Sequence, residues 1–135
     1  MSEENVEIVR RVTDVMDAEG FEAALPVFLE AAHPDVEWRE DPAWPGSAHY
    51  RGVEQVRQVI LDRMDTLDFD QQTEDLISVG DKVVALVRWR GRGKASGAQG
   101  EISLAIVWTV RERAITRLEF FLDRAEALEA VGLSE

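Results

Sequence analysis

The sequence contains no cysteine, a single tyrosine and no apolar run approaching the length of a membrane helix. Without cysteine the chain can form neither disulfide bonds nor thiolate metal sites, which suits a reducing compartment. A membrane helix needs about 20 consecutive apolar residues, and a signal peptide begins with positive charge, whereas this chain begins Ser2-Glu3-Glu4. We therefore expect a cytoplasmic protein without a membrane partner.

Basic residues are in the minority. The chain has 15 Lys and Arg against 27 Asp and Glu, which gives a formal net charge of −12. This charge repels phosphate backbones and anionic membrane surfaces, and no cluster of basic residues outweighs it locally. Nucleic acid is therefore excluded as an expected partner, and the acidity is assigned to solubility.

The length of 135 residues fits one domain over 1–135, with a hydrophobic core large enough to be stable without disulfide bonds or metal ions. Apolar residues recur at helical spacing through the first half, and Pro26 is expected to split the second helical stretch into two short pieces. The third helix carries Val53, Val56, Ile60 and Met64 on its apolar side. On that helix Arg57, Asp62 and Arg63 are predicted to face water.

The second half alternates apolar and polar residues, which is typical of antiparallel strands. One earlier strand is expected over 35–40, and a last helix follows Asp123. Four strands are predicted in the second half, with a glycine-rich hairpin end over 91–100: 67–79, 82–90, 102–110 and 115–122. The fold class is therefore α+β, with helices packed on a curved antiparallel sheet that leaves a space on its concave side.

Residues 40–52 are the strongest indication of a site. A carboxylate at Asp41 is fixed by the following proline, and Trp44, His49 and Tyr50 follow within ten residues. Such a group resembles the wall of a small-molecule pocket more than a solvated loop. Two alternatives stay open, because Asp-Pro is also a common turn start and a loop histidine is often exposed.

This order of elements, with Glu40-Asp41-Pro42, the stretch 50–56 and Gly80-Asp81-Lys82, resembles the NTF2-like superfamily and its SnoaL-like branch. The resemblance implies a cystatin-like cone enclosing a pocket and a homodimer packed through the sheet. The family includes ketosteroid isomerases, polyketide cyclases and dehydratases as well as non-catalytic association domains, so the fold alone does not select a function.

Ketosteroid isomerase has its general base in a similar Glu-Asp-Pro motif, which matches Asp41. The resemblance thus implies a cofactor-free isomerase, cyclase or dehydratase, with Asp41 as base and His49 or Tyr50 as the hydrogen-bond donor to an enolate. The isomerase's own donor positions fall near Val12 and Ile106, which cannot donate. The alternative function is a non-catalytic ligand-binding or dimeric association module.

The partner expected in either case is a small hydrophobic molecule, with no cofactor. A metal site drawn from His33, His49 and the nearby carboxylates follows no known spacing, so no metal is predicted. The residues expected to contact the ligand are apolar or aromatic: Trp38, Trp44, Trp89, Ile106, Trp108, Leu118, Phe120 and Leu122. The opposite sheet face, which carries Arg88, Arg117, Glu119 and Phe121, is the expected dimer interface.

Overall fold

The computed structural model describes residues 2–93 and 99–133, and within them the chain forms four helices and six strands. The helices are α1 (Ser2–Glu19), α2 (Phe21–Ala31), α3 (Val53–Thr66) and α4 (Arg124–Ala130). The strands are β1 (Ala32–Arg39), β2 (His49–Arg51), β3 (Leu67–Val79), β4 (Lys82–Gly93), β5 (Gln99–Arg111) and β6 (Ala114–Phe121). The predicted α+β cone is confirmed. Residues 94–98 of the predicted hairpin end lie outside the described residues.

The six strands form one open sheet in the order β2-β1-β6-β5-β4-β3. All neighbours are antiparallel except β1 and β6, which run parallel with Glu37 opposite Arg117 and Trp38 opposite Leu118. The sheet is therefore mixed, whereas the sequence predicted a wholly antiparallel one. Alternation of apolar and polar residues marks a half-buried strand in either direction, so it could not reveal the parallel pair.

Helix α2 is continuous, and the prediction that Pro26 splits it is wrong. Proline removes one backbone hydrogen bond from a helix interior, at a cost of about 3 kcal/mol. Here Pro26 lies on the exposed side, while Ala24 and Phe28 are buried against the sheet and the other helices. The packing of this buried side holds the helix together across the proline.

Helices α1, α2 and α3 cover the inner face of the sheet, where the main core lies. On β5 the predicted inward residues Leu104, Ile106 and Trp108 are all buried in this core, which confirms the predicted strand register. The other buried side chains of the sheet in this core include Val87, Trp89, Leu118 and Phe120. Alternation along each strand therefore decides which side chains can reach the space under the helices.

The outer face of the sheet is divided between an apolar part and a charged part. Helix α4 covers the apolar part, because Ala127 is buried together with Val84, Ala105 and Val107, and Phe121 packs beside them. Its start is capped by Asp123, whose side chain accepts a hydrogen bond from the N–H of Ala125.

The charged part of the outer face is composed of ion pairs. Arg117 donates to Glu37 on the neighbouring strand at 2.9 Å, and this hydrogen bond is the main reason that the pKa of Glu37 is lowered. Arg88 binds both Glu74 at 2.8 Å and Glu101 at 3.2 Å. These pairs satisfy the charges that the sequence assigned to a dimer interface, and that interface stays a prediction.

None of the helices in the described ranges is long and apolar enough to cross a membrane.

Strand β5 provides a direct test of the burial of Ile106. Ile106 is 3% exposed, whereas Ile102, four residues earlier on the same strand, is 42% exposed. We expect Ile106→Asp to lower the free energy of unfolding by about 3 kcal/mol or more, because the carboxylate is buried without a donor. Ile102→Asp is the matched control and should cost less than about 1 kcal/mol. Chemical denaturation of both variants measures the difference, and equal losses would contradict the burial of Ile106.

Candidate functional site

A cavity of about 60 Å³ lies between the inner face of the sheet and helices α1, α2 and α3. Its walls are almost entirely apolar or aromatic. Seven of the eight residues predicted to contact a ligand line it, five of them aromatic and two aliphatic: Trp38, Trp44, Trp89, Trp108, Phe120, Ile106 and Leu118. The lining that the sequence did not single out comes mainly from the helices and β3, and includes Met16, Phe21, Phe28, Met64 and Phe69.

Aromatic rings pack against one another along one wall of the cavity. The ring of Trp44 lies 5.7 Å from that of Trp89 and 6.1 Å from that of Phe120, both with edge-to-face geometry. Phe69 lies 4.9 Å from Trp89 and 4.2 Å from Phe21. The three longer distances fall in the range of about 4.5–7 Å for favourable aromatic pairs, and Phe21 and Phe69 lie slightly closer, so the wall is held by mutual contact of its rings.

Phe69 reaches this wall because Gly91 lies opposite it in the sheet. A Cβ atom added at Gly91 would lie 2.3 Å from the Cβ of Phe69 and 2.5 Å from the carbonyl oxygen of Asp68. Only glycine leaves room for this close approach of the two strands. The glycine that the sequence assigned to a hairpin end thus helps to close the cavity.

Asp41, the predicted general base, does not line the cavity. Its Oδ1 accepts a hydrogen bond from the N–H of Ala43 at 2.9 Å, and its Oδ2 accepts one from the N–H of Leu122 at 2.8 Å. The first contact is an Asx turn, and the second fastens the loop to the end of β6. This arrangement matches the turn-forming alternative that the sequence left open for an Asp-Pro pair.

His49 and Tyr50 lie on the short strand β2, which the sequence did not predict. Tyr50 is opposite Trp38 and packs on the core, whereas His49 is opposite Arg39 and is exposed on the other face. Neither residue lines the cavity, and neither does Leu122, whose backbone N–H binds Asp41. A catalytic role for Asp41, His49 or Tyr50 stays a prediction from the sequence.

Sequence reasoning missed Arg63, which was predicted to face water but lines the cavity with its side chain only 29% exposed. It is the only lining residue in the described ranges with a charged side chain. The signal was present in the sequence, because Arg63 follows Val56 by seven residues and Ile60 by three, which places it on the apolar side of α3. Arg57 and Asp62 are exposed, as predicted.

Arg63 forms a two-point ion pair with Glu40, whose side chain is completely buried. Nη2 of Arg63 lies 2.6 Å from Oε1 of Glu40, and Nε lies 3.0 Å from Oε2. This hydrogen bonding is the main reason that the pKa of Arg63 is raised. The charge next to the cavity is therefore already neutralised within the protein.

Glu40 accepts two further hydrogen bonds. The indole N–H of Trp38 donates to Oε2 at 3.3 Å, and the backbone N–H of Ala48 donates to Oε1 at 3.2 Å. The guanidinium carbon of Arg63 lies 6.0 Å from the ring centroid of Trp44, at the outer limit of a cation–π contact. One carboxylate thus fixes a strand end, a helix, the loop and a tryptophan.

The other polar lining residue is Gln71, which is 3% exposed. Its Oε1 accepts a hydrogen bond from the indole N–H of Trp89 at 2.8 Å, and its Nε2 donates to the hydroxyl of Thr73 at 3.3 Å. In the ranges that the structure covers, no group of three His, Asp or Glu side chains is placed to hold a metal ion. The cavity as described offers chemistry for binding an apolar molecule.

Comparison with known proteins is consistent with this architecture and decides the family. The model of the SnoaL-like domain matches residues 9–118. The chain belongs to the SnoaL-like family. No curated protein matches this SnoaL-like chain significantly in sequence.

Solved structures with the same fold are distant in sequence. An NTF2-like protein from Burkholderia xenovorans is 20% identical with a TM-score of 0.76, and the match covers 98% of both chains. A candidate SnoaL-like polyketide cyclase from Jannaschia is 18% identical with a TM-score of 0.78, covering 99% of this chain and 95% of that one. A protein from Catenulispora acidiphila with a ketosteroid isomerase-like fold, in complex with trimethylamine, is 16% identical with a TM-score of 0.71, covering 94% and 93%. These similarities show the fold.

The contribution of the ion pair between Arg63 and Glu40 to stability can be tested by substitution. We expect Arg63→Met to lower the free energy of unfolding by about 3 kcal/mol, because it leaves the buried Glu40 without a cation. Adding Glu40→Gln to this variant should restore part of the loss, since the uncompensated charge is removed. Chemical denaturation of both single variants and the double variant completes the cycle.

Arg57→Met is the matched control on the same helix. The side chain of Arg57 is 48% exposed and lies 4.0 Å from Glu54, so its loss should cost less than about 1 kcal/mol. Equal costs for Arg57→Met and Arg63→Met would show that the pair with Glu40 contributes no more than a surface contact.

Proposed function

We propose that this SnoaL-like domain binds a small, uncharged and mostly apolar molecule in its cavity without converting it. The observation that supports the proposal is the composition of the wall, where Arg63 and Gln71 are the only charged or amide side chains among the described lining residues. Both already have partners within the protein. Pockets of this kind, apolar with few polar groups, are typical of ligand sites.

The absence of a base in the described wall favours binding over proton transfer. General acid–base catalysis needs a titratable group within hydrogen-bond reach of the substrate. The described lining contains no Asp, Glu, His or Tyr, and both carboxylate oxygens of Asp41 accept backbone N–H groups elsewhere. The cyclase, dehydratase and isomerase alternatives therefore have less support than a binding role.

The size of the cavity limits the ligand. A cavity that holds benzene has about 150 Å³, whereas this one has about 60 Å³. A benzene-sized molecule therefore needs movement of the lining, which the unbranched side chains of Met16 and Met64 can supply. The relative from Catenulispora acidiphila was crystallised with trimethylamine, a ligand below this size, which supports a role for the fold in holding small molecules.

Filling the cavity tests the binding proposal. Ala24 is 1% exposed on α2 and lines the cavity, so Ala24→Leu should occupy the space that a ligand needs. We expect benzene to shift the amide resonances of lining residues in the original protein and to shift them at least tenfold less in Ala24→Leu. Ala18→Leu, at an exposed position of α1, is the control and should bind as the original does. No shift by benzene in the original protein, or equal shifts in Ala24→Leu, would contradict the proposal.

The catalytic alternative has its own test. We expect neither the original protein nor Asp41→Asn to accelerate uptake of solvent deuterium into cyclic enones and diketones, because Asp41 is engaged by backbone groups outside the cavity. Proton NMR of the recovered compounds measures the exchange. Uptake that occurs with the original protein and disappears in Asp41→Asn would instead establish Asp41 as a base.

A further inference from the structure

A second concave region lies on the outer face of the sheet and shares no described lining residue with the cavity. It is a polar groove of about 240 Å³, to which five of the six strands contribute. Its lining residues include four basic and two acidic side chains: Arg51, Lys82, Arg111 and Arg117 against Asp35 and Glu37. The groove is therefore locally basic in a protein whose formal net charge is −12.

A row of paired residues crosses the sheet beneath this groove. Arg51 pairs with Glu37, which pairs on its other side with Arg117. Arg117 in turn pairs with Thr109, and Thr109 pairs with Lys82. Residues that face one another on neighbouring strands project from the same side of a sheet, so these side chains lie side by side. Each strand supplies one member of the row, and this is why the sequence showed no local excess of basic residues.

Two of the four basic residues are already neutralised by carboxylates. Arg117 donates to Glu37 at 2.9 Å. Arg111 donates through Nε to Asp81, beside the groove, at 2.7 Å, and this hydrogen bond is the main reason that the pKa of Asp81 is lowered. Arg111 keeps its two terminal nitrogens for further contacts, since the bond to Asp81 uses Nε alone.

The basic residues at the two ends of the row differ from these. Neither Arg51 nor Lys82 forms a salt bridge with a carboxylate of the described residues. Lys82 donates instead to the hydroxyl of Thr109 at 3.1 Å, which uses one of its three N–H donors. Four basic residues against the three carboxylates of Asp35, Glu37 and Asp81 leave one positive charge without a partner.

We propose that this groove binds a small oxyanion of the phosphate class, either the free ion or the phosphate group of a small ester. Lys82 supplies the charge that has no partner, and Thr109 holds its ammonium group in position. The free terminal nitrogens of Arg111 line the same groove. Lysine and arginine form strong charge-assisted hydrogen bonds to phosphate oxygens. The proposed site is separate from the cavity and does not depend on what the cavity binds.

The charge of the whole protein favours a small ion over a nucleic acid. A polyanion would extend beyond the groove and meet the repulsion of a surface with a net charge of −12. A small oxyanion makes its contacts within the groove. The local excess of positive charge therefore matches an anion of limited size.

Titration with inorganic phosphate tests the proposal. Amide resonances are followed by NMR while sodium chloride keeps the ionic strength constant, so that chloride serves as the reference anion. We expect saturable shifts centred on Lys82, Thr109 and Arg117, with a dissociation constant in the millimolar range. A parallel titration with methyl phosphate distinguishes the two sources: comparable affinity indicates the phosphate group of an ester, and binding of inorganic phosphate alone indicates the free ion.

Two variants on β4 form a matched pair. Lys82 and Arg90 are an even number of positions apart, so both project from the outer face, and each substitution by Gln removes one positive charge. We expect Lys82→Gln to weaken phosphate binding at least tenfold, because a charge-assisted contact is lost. Arg90→Gln should change the dissociation constant less than about twofold, since Arg90 lies outside the groove and its charge is screened by salt.

The outcomes decide between an anion site and an ordinary charged surface. No saturable shift with phosphate, or equal weakening in Lys82→Gln and Arg90→Gln, would overturn the proposal and leave binding in the cavity unaffected. Arg117 also belongs to the predicted dimer interface, so sedimentation is measured over the same range of protein concentrations. Phosphate affinity that falls as the protein dimerises would assign the groove to a second copy of the chain and would likewise overturn the proposal.

Discussion

The cavity depends on one buried carboxylate. Glu40 ends the first long strand with a side chain that is completely buried, and a buried charge is tolerated only when it is paired and hydrogen-bonded. Arg63 supplies the charge, while Trp38 and the backbone of Ala48 supply further donors. The helix, the strand end, the loop and one tryptophan of the wall are thereby held to a common point. The loop carrying Trp44 has a second attachment through Asp41, which accepts the N–H of Leu122 at the end of β6.

The same carboxylate also sets the charge of the cavity wall. Because Glu40 neutralises Arg63, the wall presents an arginine without presenting a net charge. The amide of Gln71 is likewise engaged by Trp89 and Thr73. What remains on the described wall is mainly aromatic and aliphatic surface. This composition is the basis for proposing a neutral ligand, and the motif Glu40-Asp41-Pro42 places no base in the described wall because both carboxylate oxygens of Asp41 accept backbone N–H groups elsewhere.

The two faces of the sheet differ in what packs against them. The inner face carries Trp89, Ile106 and Phe120 beneath the helices, and the outer face carries the packing of α4 and a set of ion pairs. Because side chains alternate along a strand, a residue one position away from a lining residue has its side chain on the outer face of the sheet. His49 illustrates this. It pairs with Arg39 and lies on the outer face, while its neighbour Tyr50 pairs with Trp38 and lies on the inner face.

The sequence by itself determined the fold class, the family and the inward parity of β4, β5 and β6, because these depend on local periodicity and on motifs spread over most of the chain. It also identified Trp38, Trp44, Trp89 and Trp108 as wall residues, since large aromatics on an inward face have few other places to go. Helical spacing on α3 even contained the signal for Arg63, although its charge argued for an exposed position.

Tertiary structure alone decided the rest. Three contacts join residues distant in the chain: the parallel pairing of β1 with β6, the pairing of Glu40 with Arg63 on α3, and the hydrogen bond from the N–H of Leu122 to Asp41. No local pattern records such a contact, because a carboxylate has the same appearance in the sequence whether it lies in a cavity or binds a backbone N–H. The same reason applies to Trp108: its ring could be assigned to the interior from the sequence, but its lack of a partner depends on what every neighbouring strand and helix brings close to it.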